Sequence, residues 1–467
     1  MFRDRNFSYR DAGHFYYPLL KLVQDEWQAG RWPLWNPYEN GGMPLLGNPT
    51  SAVLYPPRIV MFQWLPISYA TAYKWYILAH VLLSAATAYA MARNWKATEF
   101  AAGLASISYA FSAVVMFHYC NVIFLVGAAW VPLGLLAIDR MLRAGSWRWA
   151  ILLGLVLAMQ MLGGDPEAAY VTGGLAALYV MILDLRFAVL IAVAFAMNAI
   201  GHAGSGLHTI QGKVIALMLL GVLALAARAV WRLQSLRSVP LSPTEWRLRR
   251  RRRGCLVLAA VVAVGLSAVQ WLPTWEFSRI SLRAAGGIHH EAYAFWVAPW
   301  RFMEMLWPNV SGHQFPINTR WIDHFRVGDR TWEPSLYFGA LALVLALAAC
   351  GIRNVPTWRR WMSLTLLLSV WAAAGPAGGV SWYWRMAHRA NADAVNDSNM
   401  DPTNPAKVHP PKEREGPPTE LETPAGGLYW LMVQLLPGFG GFRYPAKLMT
   451  FAAVAFAALA AAGWDRL

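Results

Sequence analysis

Long apolar runs constrain this chain more than any other feature of its sequence. A helix needs about 20 apolar residues to cross the hydrocarbon core of a bilayer, and runs close to this length recur along most of the chain. Because a backbone inside lipid must satisfy its own hydrogen bonds, such runs predict an all-α polytopic membrane protein, here with about eleven transmembrane helices. The predicted spans lie near residues 71–92, 99–117, 121–142, 147–164, 166–185, 187–201, 213–233, 254–277, 333–352, 358–375 and 446–464.

Charge is scarce in this sequence and unevenly distributed. Hydrophobic residues make up 57% of the 467 residues and charged residues 14%, too little charge to cover a soluble protein of this size. The 40 lysines and arginines exceed the 25 acidic residues, for a net charge of +15. Such a basic chain could bind nucleic acid, but its basic residues lie in short loops between apolar runs, as in membrane proteins. We therefore expect a lipid bilayer, and no nucleic acid, as its partner.

The basic residues also predict the orientation of the spans. They occur in every second loop, which marks that face of the bundle as cytoplasmic. They are Arg93, Lys96, Arg140, Arg143, Arg148, Arg186, Arg228, the run from Arg249 to Arg253, Arg353, Arg359 and Arg360. The N-terminus and the long loops then lie outside the cytoplasm, and the C-terminus lies inside.

Loop lengths divide the chain into four regions. Residues 1–70 form an external first loop with interfacial helices, and residues 71–375 form a transmembrane bundle with an external loop at 278–332. Residues 376–445 form a second long external loop. Its central part is rich in Asn, Asp, Pro, Lys and Glu, a composition that predicts partial disorder. Residues 446–467 form the last transmembrane helix.

Cysteine and histidine spacings predict no metal centre. Cys120, Cys255 and Cys350 fall in or beside apolar runs, so free buried thiols are expected. The metal-binding residue types of the loop 278–332 match no zinc pattern. They are His289, His290, Glu291, His313, Asp323 and His324. The sequence also contains no phosphate loop and no dinucleotide motif, which argues against a soluble nucleotide donor.

The external first loop is dense in proline, glycine and aromatic residues, which predicts a rigid, irregular surface. Its segments read Tyr9-Arg10-Asp11-Ala12-Gly13-His14-Phe15-Tyr16-Tyr17-Pro18, Gly30-Arg31-Trp32-Pro33-Leu34-Trp35-Asn36-Pro37-Tyr38, Gly41-Gly42-Met43-Pro44-Leu45-Leu46-Gly47-Asn48 and Leu54-Tyr55-Pro56-Pro57. Asp11 precedes an apolar stretch from Phe15 to Leu20 that predicts an interfacial helix. Spacing alone favours Asp11 as the N-cap of this helix, and a catalytic role is the alternative.

Two further segments place charges at the predicted outer ends of spans. The first reads Leu162-Gly163-Gly164-Asp165-Pro166-Glu167, and the second reads Phe442-Arg443-Tyr444-Pro445-Ala446-Lys447. Asp165 and Glu167 either lie in water at a turn or serve a function, since ionisable groups at membrane depth are usually functional. Arg443 is either an interfacial anchor or a ligand-binding residue.

Together these segments resemble the YfhO-type bacterial membrane proteins, which belong to the GT-C class of glycosyltransferases. The resemblance rests on the first-loop segments and on the late segment Phe442–Lys447. The segment Leu162–Glu167 is similar to a third family position, where a His-Pro-Gln version is more usual. Family members have a helix before the first loop and further spans after the late segment. The resemblance therefore implies a chain truncated at both ends.

The resemblance implies a GT-C-like fold and a membrane glycosyltransferase. Such an enzyme moves a sugar from a polyprenyl-phosphate donor to an envelope glycan or glycolipid, on the external face of the bacterial cytoplasmic (inner) membrane. Asp11 takes the position of the catalytic acidic residue, whereas Arg443 and Lys447 are placed to bind the donor phosphate. The candidates for an acceptor or second acidic site are Asp165, Glu167 and His14. A divalent cation could bind there, and no other cofactor is implied.

Two functions from other classes stay open on the sequence. A transporter or flippase of lipid-linked sugar would also have many spans and aromatic outer loops. Transporters carry ionisable residues in the middle of their spans, and the predicted spans contain almost none. A non-catalytic membrane scaffold fits the composition equally well.

The orientation can be tested with reporter fusions. A fusion at Arg251 should report the cytoplasm and a fusion at Asn396 the exterior, because basic residues resist translocation. Alkaline phosphatase activity and green fluorescent protein fluorescence, measured at both sites, should therefore give opposite readings. Identical readings at the two sites would overturn every loop assignment.

Overall fold

A computed structural model describes residues 6–183, 243–281, 292–313, 319–321, 332–379 and 427–467. In these ranges the fold is helical, apart from two short antiparallel strands, β1 (Trp35–Asn36) and β2 (Met43–Pro44), with Trp35 opposite Pro44. The α-helices, numbered in chain order, are α1 (Tyr17–Gln28), α2 (Pro56–Ile59), α3 (Tyr69–Asn94), α4 (Glu99–Ala110), α5 (Ala113–Phe117), α6 (Val122–Ala144), α7 (Trp147–Leu162), α8 (Pro166–Leu183), α9 (Pro243–Ile280), α10 (Ala340–Ala349), α11 (Thr357–Ala373), α12 (Leu428–Leu435) and α13 (Met449–Trp464).

Five of the described helices are long and apolar enough to cross a membrane. They are α3, α6, α8, α9 and the segment Pro445–Trp464, which contains α13. A sixth span results if α4 and Ala113–Cys120, which meet at 44°, count as one broken span. The chain is thus an all-α membrane protein. The count of about eleven spans stays a prediction, because the predicted spans 187–201 and 213–233 lie outside the described residues.

One predicted span is wrong in extent. The apolar run at 333–352 is helical only over Ala340–Ala349, ten residues that are too short to cross a bilayer as a helix. The residues before it have no regular secondary structure. Pro334 cannot donate a backbone hydrogen bond, and Gly339 has a φ of 93°, a left-handed conformation that is incompatible with continuing a helix. Apolar composition alone therefore did not separate a helix from buried irregular chain.

The external first loop packs against α3 through two π-helical turns. The first turn, Ala12–Tyr16, continues directly into α1, and the second, Val60–Trp64, follows α2. The helix predicted over Phe15 to Leu20 is confirmed by the first turn and α1. The predicted N-cap is wrong, because the Asp11 side chain makes no capping hydrogen bond. Asp11 instead has helical backbone angles, so the helical turn begins around it rather than after it.

The last helix, α13, lies at the centre of the described bundle. It packs against α4, α10 and α11, and 94% of the residues in its apolar stretch are buried. A helix that is apolar on all sides is stable only when it is enclosed. Its many alanines let neighbouring helices approach closely, which drives helix association in membranes. One close approach is at Gly463, whose backbone lies against the carbonyl of Leu345 in α10.

Hydrogen bonds join helix ends that the loop charges assign to the same side of the membrane. At one end, the backbone N–H of Thr98 donates to Asp465 at 3.0 Å. At the same end, Arg252 of α9 donates to the carbonyl of Leu142 in α6 at 2.5 Å. All of these residues belong to the predicted cytoplasmic side. At the other end of α9, Gln270 donates to a carbonyl of the first loop at 2.6 Å. Which end faces the cytoplasm stays a prediction.

The close contact at Gly463 can be tested by glycine-to-alanine variants. A Cβ atom at Gly463 would lie 2.2 Å from the Leu345 carbonyl oxygen, whereas one at Gly103 in α4 would meet nothing within 4 Å. We expect Gly463→Ala to lower the free energy of unfolding by about 1–3 kcal/mol, as overpacking does. Gly103→Ala should leave stability unchanged or raise it slightly, since alanine is the better helix former. Thermal unfolding in detergent measures both, and equal stability of the two variants would contradict the packing.

Candidate functional site

Lys447, Asp165 and Glu167 form a buried ion cluster. Their exposed fractions are 3%, 1% and 4%. The Lys447 ammonium pairs with Oδ1 of Asp165, and it lies 3.5 Å from Oε2 of Glu167. Two segments that lie far apart in the sequence, near residues 165 and 445, are therefore joined directly. The alternative that Asp165 and Glu167 lie in water at a turn is wrong.

Two glycines make room for this cluster. Gly164 has a φ of 93°, and a Cβ there would lie 2.7 Å from the carbonyl oxygen of Pro49 in the first loop. The turn at Gly164 places Asp165 directly before α8, where its Oδ1 accepts a hydrogen bond from the backbone N–H of Ala168 at 2.9 Å. On α6, a Cβ at Gly127 would lie 2.1 Å from Oδ2 of Asp165. The first loop, α6 and the turn before α8 thus meet at one carboxylate.

The cluster contains more acidic than basic groups. It combines two carboxyl groups with one ammonium, and Oδ2 of Asp165 and Oε1 of Glu167 are buried without a hydrogen-bond partner among the described residues. Burial raises the pKa of the Asp165 carboxyl, although Lys447 and the hydrogen bond from Ala168 act in the opposite direction. A bound proton, cation or ligand hydroxyl group would satisfy the remaining oxygens.

Tyr16 links the first loop to this cluster. It is 3% exposed. Burial raises its pKa well above the usual value, and the nearby groups of Asp11, Tyr444 and Asp165 raise it further. Tyr16 is therefore within electrostatic range of a group from each of the three sequence segments. The Asp11 side chain itself is half-buried, with no hydrogen bond or ion pair to the described part of the chain.

His14 lies on the same π-helical turn but is exposed. In the described ranges, no hydrogen bond or ion pair joins its ring to Asp165 or Glu167. The structure therefore brings Asp11, Asp165, Glu167 and Lys447 into one region and leaves His14 at its surface.

Arg443 is half-buried among aromatic rings beside the cluster. Its Nη2 donates a hydrogen bond to the Tyr444 hydroxyl at 3.1 Å, and its guanidinium carbon lies 5.2 Å from the Tyr444 ring centre. The ring of Phe295 lies 5.8 Å from the same carbon. Its Nε is buried and has no partner in the described residues. The guanidinium group therefore keeps most of its hydrogen-bonding capacity for a ligand.

Aromatic rings surround the two basic residues. Tyr444 stacks on Phe295 with ring centres 5.0 Å apart, and its ring lies 5.6 Å from both Phe124 and Trp332. The Lys447 ammonium lies 3.9 Å from the centre of the Phe124 ring. Such rings exclude water and strengthen the electrostatic interactions between the charges they enclose.

Several polar residues that border this region were not predicted from the sequence. His118 Nε2 lies 2.7 Å from the Thr450 hydroxyl, and its ring lies 5.4 Å from that of Trp332. Glu333, next to Trp332, is fully buried, and neither of its carboxyl oxygens has a hydrogen-bond partner in the described residues. The sequence signal available for both was a polar residue beside an aromatic one at the edge of an apolar run, which is too common to identify a site.

A second buried ion pair lies beside Glu333. Arg301 donates two hydrogen bonds to Glu304, at 3.1 and 2.8 Å, and one to the backbone carbonyl of Glu333 at 2.6 Å. Ser311 donates to Glu304 at 2.6 Å. Because Glu304 satisfies the arginine, Glu333 has no full counter-charge. Burial raises the pKa of Glu333 well above the usual value, the Arg301 charge opposes this rise and the Glu304 charge adds to it.

The described residues contain no group of three or more His, Cys, Asp or Glu side chains placed to hold a metal ion. Of the histidine and acidic residues in the loop 278–332 that the sequence analysis considered, His313 is exposed and the others lie outside the described residues. Asp165 and Glu167 offer two free carboxylate oxygens, which by themselves are an incomplete set for a divalent cation.

Comparisons with protein-family models, with curated proteins and with solved structures found no match for this chain.

Glu333 should make stability depend on pH. An unfolded glutamate has a pKa of about 4.3, and the folded-state pKa is raised. Above the unfolded pKa, the native state therefore binds more protons than the unfolded state, so stability falls as the pH rises between the two values. Glu333→Gln mimics the protonated form, and we expect a flatter pH profile of thermal unfolding with higher stability at neutral pH.

The matched control for this measurement is Glu99→Gln. Glu99 lies in the first turn of α4, and its side chain is 84% exposed, so its substitution should leave the profile as in the wild type. A Glu333→Gln profile as steep as that of the wild type would mean that Glu333 is ionised in the folded protein.

Proposed function

We propose that this chain is a membrane glycosyltransferase that moves a sugar from a polyprenyl-phosphate donor to an envelope glycan or glycolipid on the external face of the bacterial inner membrane. The observation that carries the proposal is the meeting of three distant segments. The segment with Asp11, the turn before α8 and the segment from Arg443 to Lys447 come together around Tyr16 and the buried ion cluster. These are the segments on which the resemblance to GT-C enzymes rests.

Asp11 is the proposed general base. Sugar transfer requires a carboxylate within hydrogen-bond reach of the attacking hydroxyl, so that the proton leaves as the bond to the anomeric carbon forms. The Asp11 carboxyl is half-buried and makes no capping bond, so it is not committed to the protein's own backbone. Its neighbour Tyr16 is held inside the fold, which limits the space in which an acceptor hydroxyl can approach.

Arg443 is the proposed ligand of the donor phosphate. A guanidinium group presents two parallel N–H donors to phosphate oxygens, and its charge persists in a partly buried site. Binding there would compensate the negative charge that the lipid phosphate acquires when the sugar leaves. Lys447 is a weaker candidate for this role, because its ammonium is paired with Asp165 and Glu167. We assign to Lys447 the role of positioning these acids.

Asp165 and Glu167 are the proposed second acidic site. Each keeps one buried oxygen without a protein partner in the described residues. An acceptor hydroxyl donating to such an oxygen would be oriented toward the donor. A divalent cation bridging the oxygens and the donor phosphate would serve the same purpose, with further ligands from the donor itself.

A transporter or flippase of lipid-linked sugar is the second candidate. The buried ion cluster is the feature that favours it, since paired ionisable groups often mark transport pathways. However, the cluster lies at the predicted outer ends of α8 and α13, whereas transporter sites lie near the middle of the membrane. A non-catalytic scaffold would have no requirement for an uncommitted carboxylate at Asp11.

The catalytic role of Asp11 is tested by Asp11→Asn in membranes that contain the full chain. Asparagine keeps the size but cannot accept a proton, so transfer from a labelled polyprenyl-phosphate sugar should slow by about 10²–10⁴-fold. Binding of the donor should persist. Asp25→Asn is the matched control, because Asp25 lies in the same loop and forms an exposed pair with Lys21. Its transfer rate should equal that of the wild type.

The same assay separates the two proposed roles. Arg443→Ala should raise the donor concentration needed for half-maximal transfer, because a hydrogen bond to a charged group contributes about 1.5–3 kcal/mol. Arg31→Ala, which removes an exposed arginine paired with Glu26, is its control. Turnover by Asp11→Asn at the wild-type rate would remove Asp11 from the mechanism. Movement of the lipid-linked sugar across vesicle membranes without transfer would instead support the transporter.

A further inference from the structure

Arg58 is a fully buried cation without a hydrogen-bonding partner in the part of the chain that the structure describes. It lies in α2, directly after the segment Leu54-Tyr55-Pro56-Pro57. Its exposed fraction is 0%. Its Nε, Nη1 and Nη2 atoms all lack a hydrogen-bond partner among the described residues. A guanidinium group has five N–H donors, so a buried arginine normally binds carbonyl oxygens or a carboxylate. Arg301 follows that pattern in this chain, and Arg58 does not among the described residues.

The surroundings of Arg58 are aromatic rather than acidic. Its guanidinium carbon lies 6.0 Å from the ring centre of Phe62. Burial lowers its pKa to about 10, and the nearby hydroxyl groups of Tyr76 and Tyr69 oppose this effect. The side chain therefore stays positively charged at neutral pH. An isolated buried charge is strongly unfavourable unless an opposite charge accompanies it.

Hydrogen bonds and ring contacts order the aromatic side chains on either side of Arg58 in the sequence. The hydroxyl of the preceding Tyr55 accepts a hydrogen bond from Trp130 at 2.8 Å and lies 2.9 Å from Nε2 of His80. The ring of Phe62 packs between Tyr69 and Tyr76, with ring centres 5.5 and 5.4 Å away. These contacts order the aromatic side chains of this segment in the closed arrangement.

A π-helical turn, Val60–Trp64, begins directly after α2 and contains Phe62, whose ring lies near the Arg58 guanidinium. Turns of this kind are rare and occur frequently at functional sites. The turn and the residues after it expose large apolar side chains to the outside. Val60, Trp64 and Leu65 are 39%, 73% and 42% exposed, and Ile67 is 38% exposed. A buried cation thus lies behind an exposed apolar rim, a combination that matches a molecule with an anionic head and a hydrocarbon tail.

We propose that Arg58 binds the phosphate of an outer-leaflet phospholipid, whose acyl chains pack against the apolar rim at Val60–Ile67. The planar fork of the guanidinium matches two phosphate oxygens. Because Arg58 is enclosed, the phosphate enters when the turn Val60–Trp64 moves outward. The proposal does not depend on sugar transfer. The role of the site is to hold the first loop, which contains Asp11, against the membrane surface.

Lipid retention by purified protein tests the proposal. Protein purified in a mild detergent, with added phosphatidylglycerol, is analysed by native mass spectrometry for bound lipid. We expect Arg58→Met to retain less phosphatidylglycerol than the wild type by about tenfold or more, as loss of a charge-assisted contact implies. Arg31→Met, which removes an exposed arginine of the same loop, should retain the wild-type amount. Equal retention by Arg58→Met and wild type would overturn the proposal.

Two further measurements identify the ligand and guard against misfolding. Phosphatidylglycerol with a photoreactive headgroup should label wild-type peptides that contain residues 55–76, and absence of label there would overturn the proposal without any variant. Thermal unfolding of the wild type should shift upward with phosphatidylglycerol and stay unchanged with inorganic phosphate. An equal shift with inorganic phosphate would mean that a free anion, rather than a lipid, is the ligand. Arg58→Lys, which keeps the charge but loses the fork, should retain an intermediate amount of lipid.

Discussion

The buried contact between Lys447 and the carboxyl groups of Asp165 and Glu167 is the interaction on which the predicted outer end of the described bundle depends. It joins the segment that leads into the central helix α13 to the turn that begins α8. Removing one partner from a buried ion pair costs about 3–5 kcal/mol, because a charge is then left without compensation. The position of α13 relative to α8 is thereby coupled to the ionisation of the cluster.

Backbone geometry around the cluster follows from this electrostatic requirement. A carboxylate inside a helical bundle needs space that side chains would otherwise fill, and Gly127 on α6 supplies it. Gly164 adopts a conformation that other residues avoid, and so turns the chain toward Pro49 of the first loop. The aromatic shell of Phe124 and Tyr444 then closes over the cations. Packing, strain and charge at this end of the bundle are therefore interdependent.

The first loop and the segments that pack near it contain charged groups that the described protein does not fully satisfy. The Arg58 guanidinium and the Glu333 carboxyl have no hydrogen-bond partner among the described residues. Asp165 keeps one carboxyl oxygen without a partner there. The opposite end differs, because its buried carboxylate Asp139 accepts hydrogen bonds from Asn94 and Tyr179, at 2.8 and 2.6 Å. Unsatisfied buried charges weaken a fold, and they persist where a ligand supplies the missing partner. These unsatisfied groups agree with the ligand sites proposed above at the end that the loop charges predict to be external.

The sequence by itself determined the class of the protein and most of its helices. Runs such as 71–92 and 121–142 became α3 and α6 within a few residues, because the cost of unsatisfied backbone groups in lipid leaves a helix as the only solution. Only the tertiary structure decided the rest. In the structure, Asp11 makes no capping hydrogen bond, and the predicted span at 333–352 is helical only over Ala340–Ala349. Lys447 pairs with Asp165, which is distant in the sequence. Each outcome depends on which distant groups share a low-dielectric interior, and hydropathy, a property of single residues and their close neighbours, contains no information on such contacts.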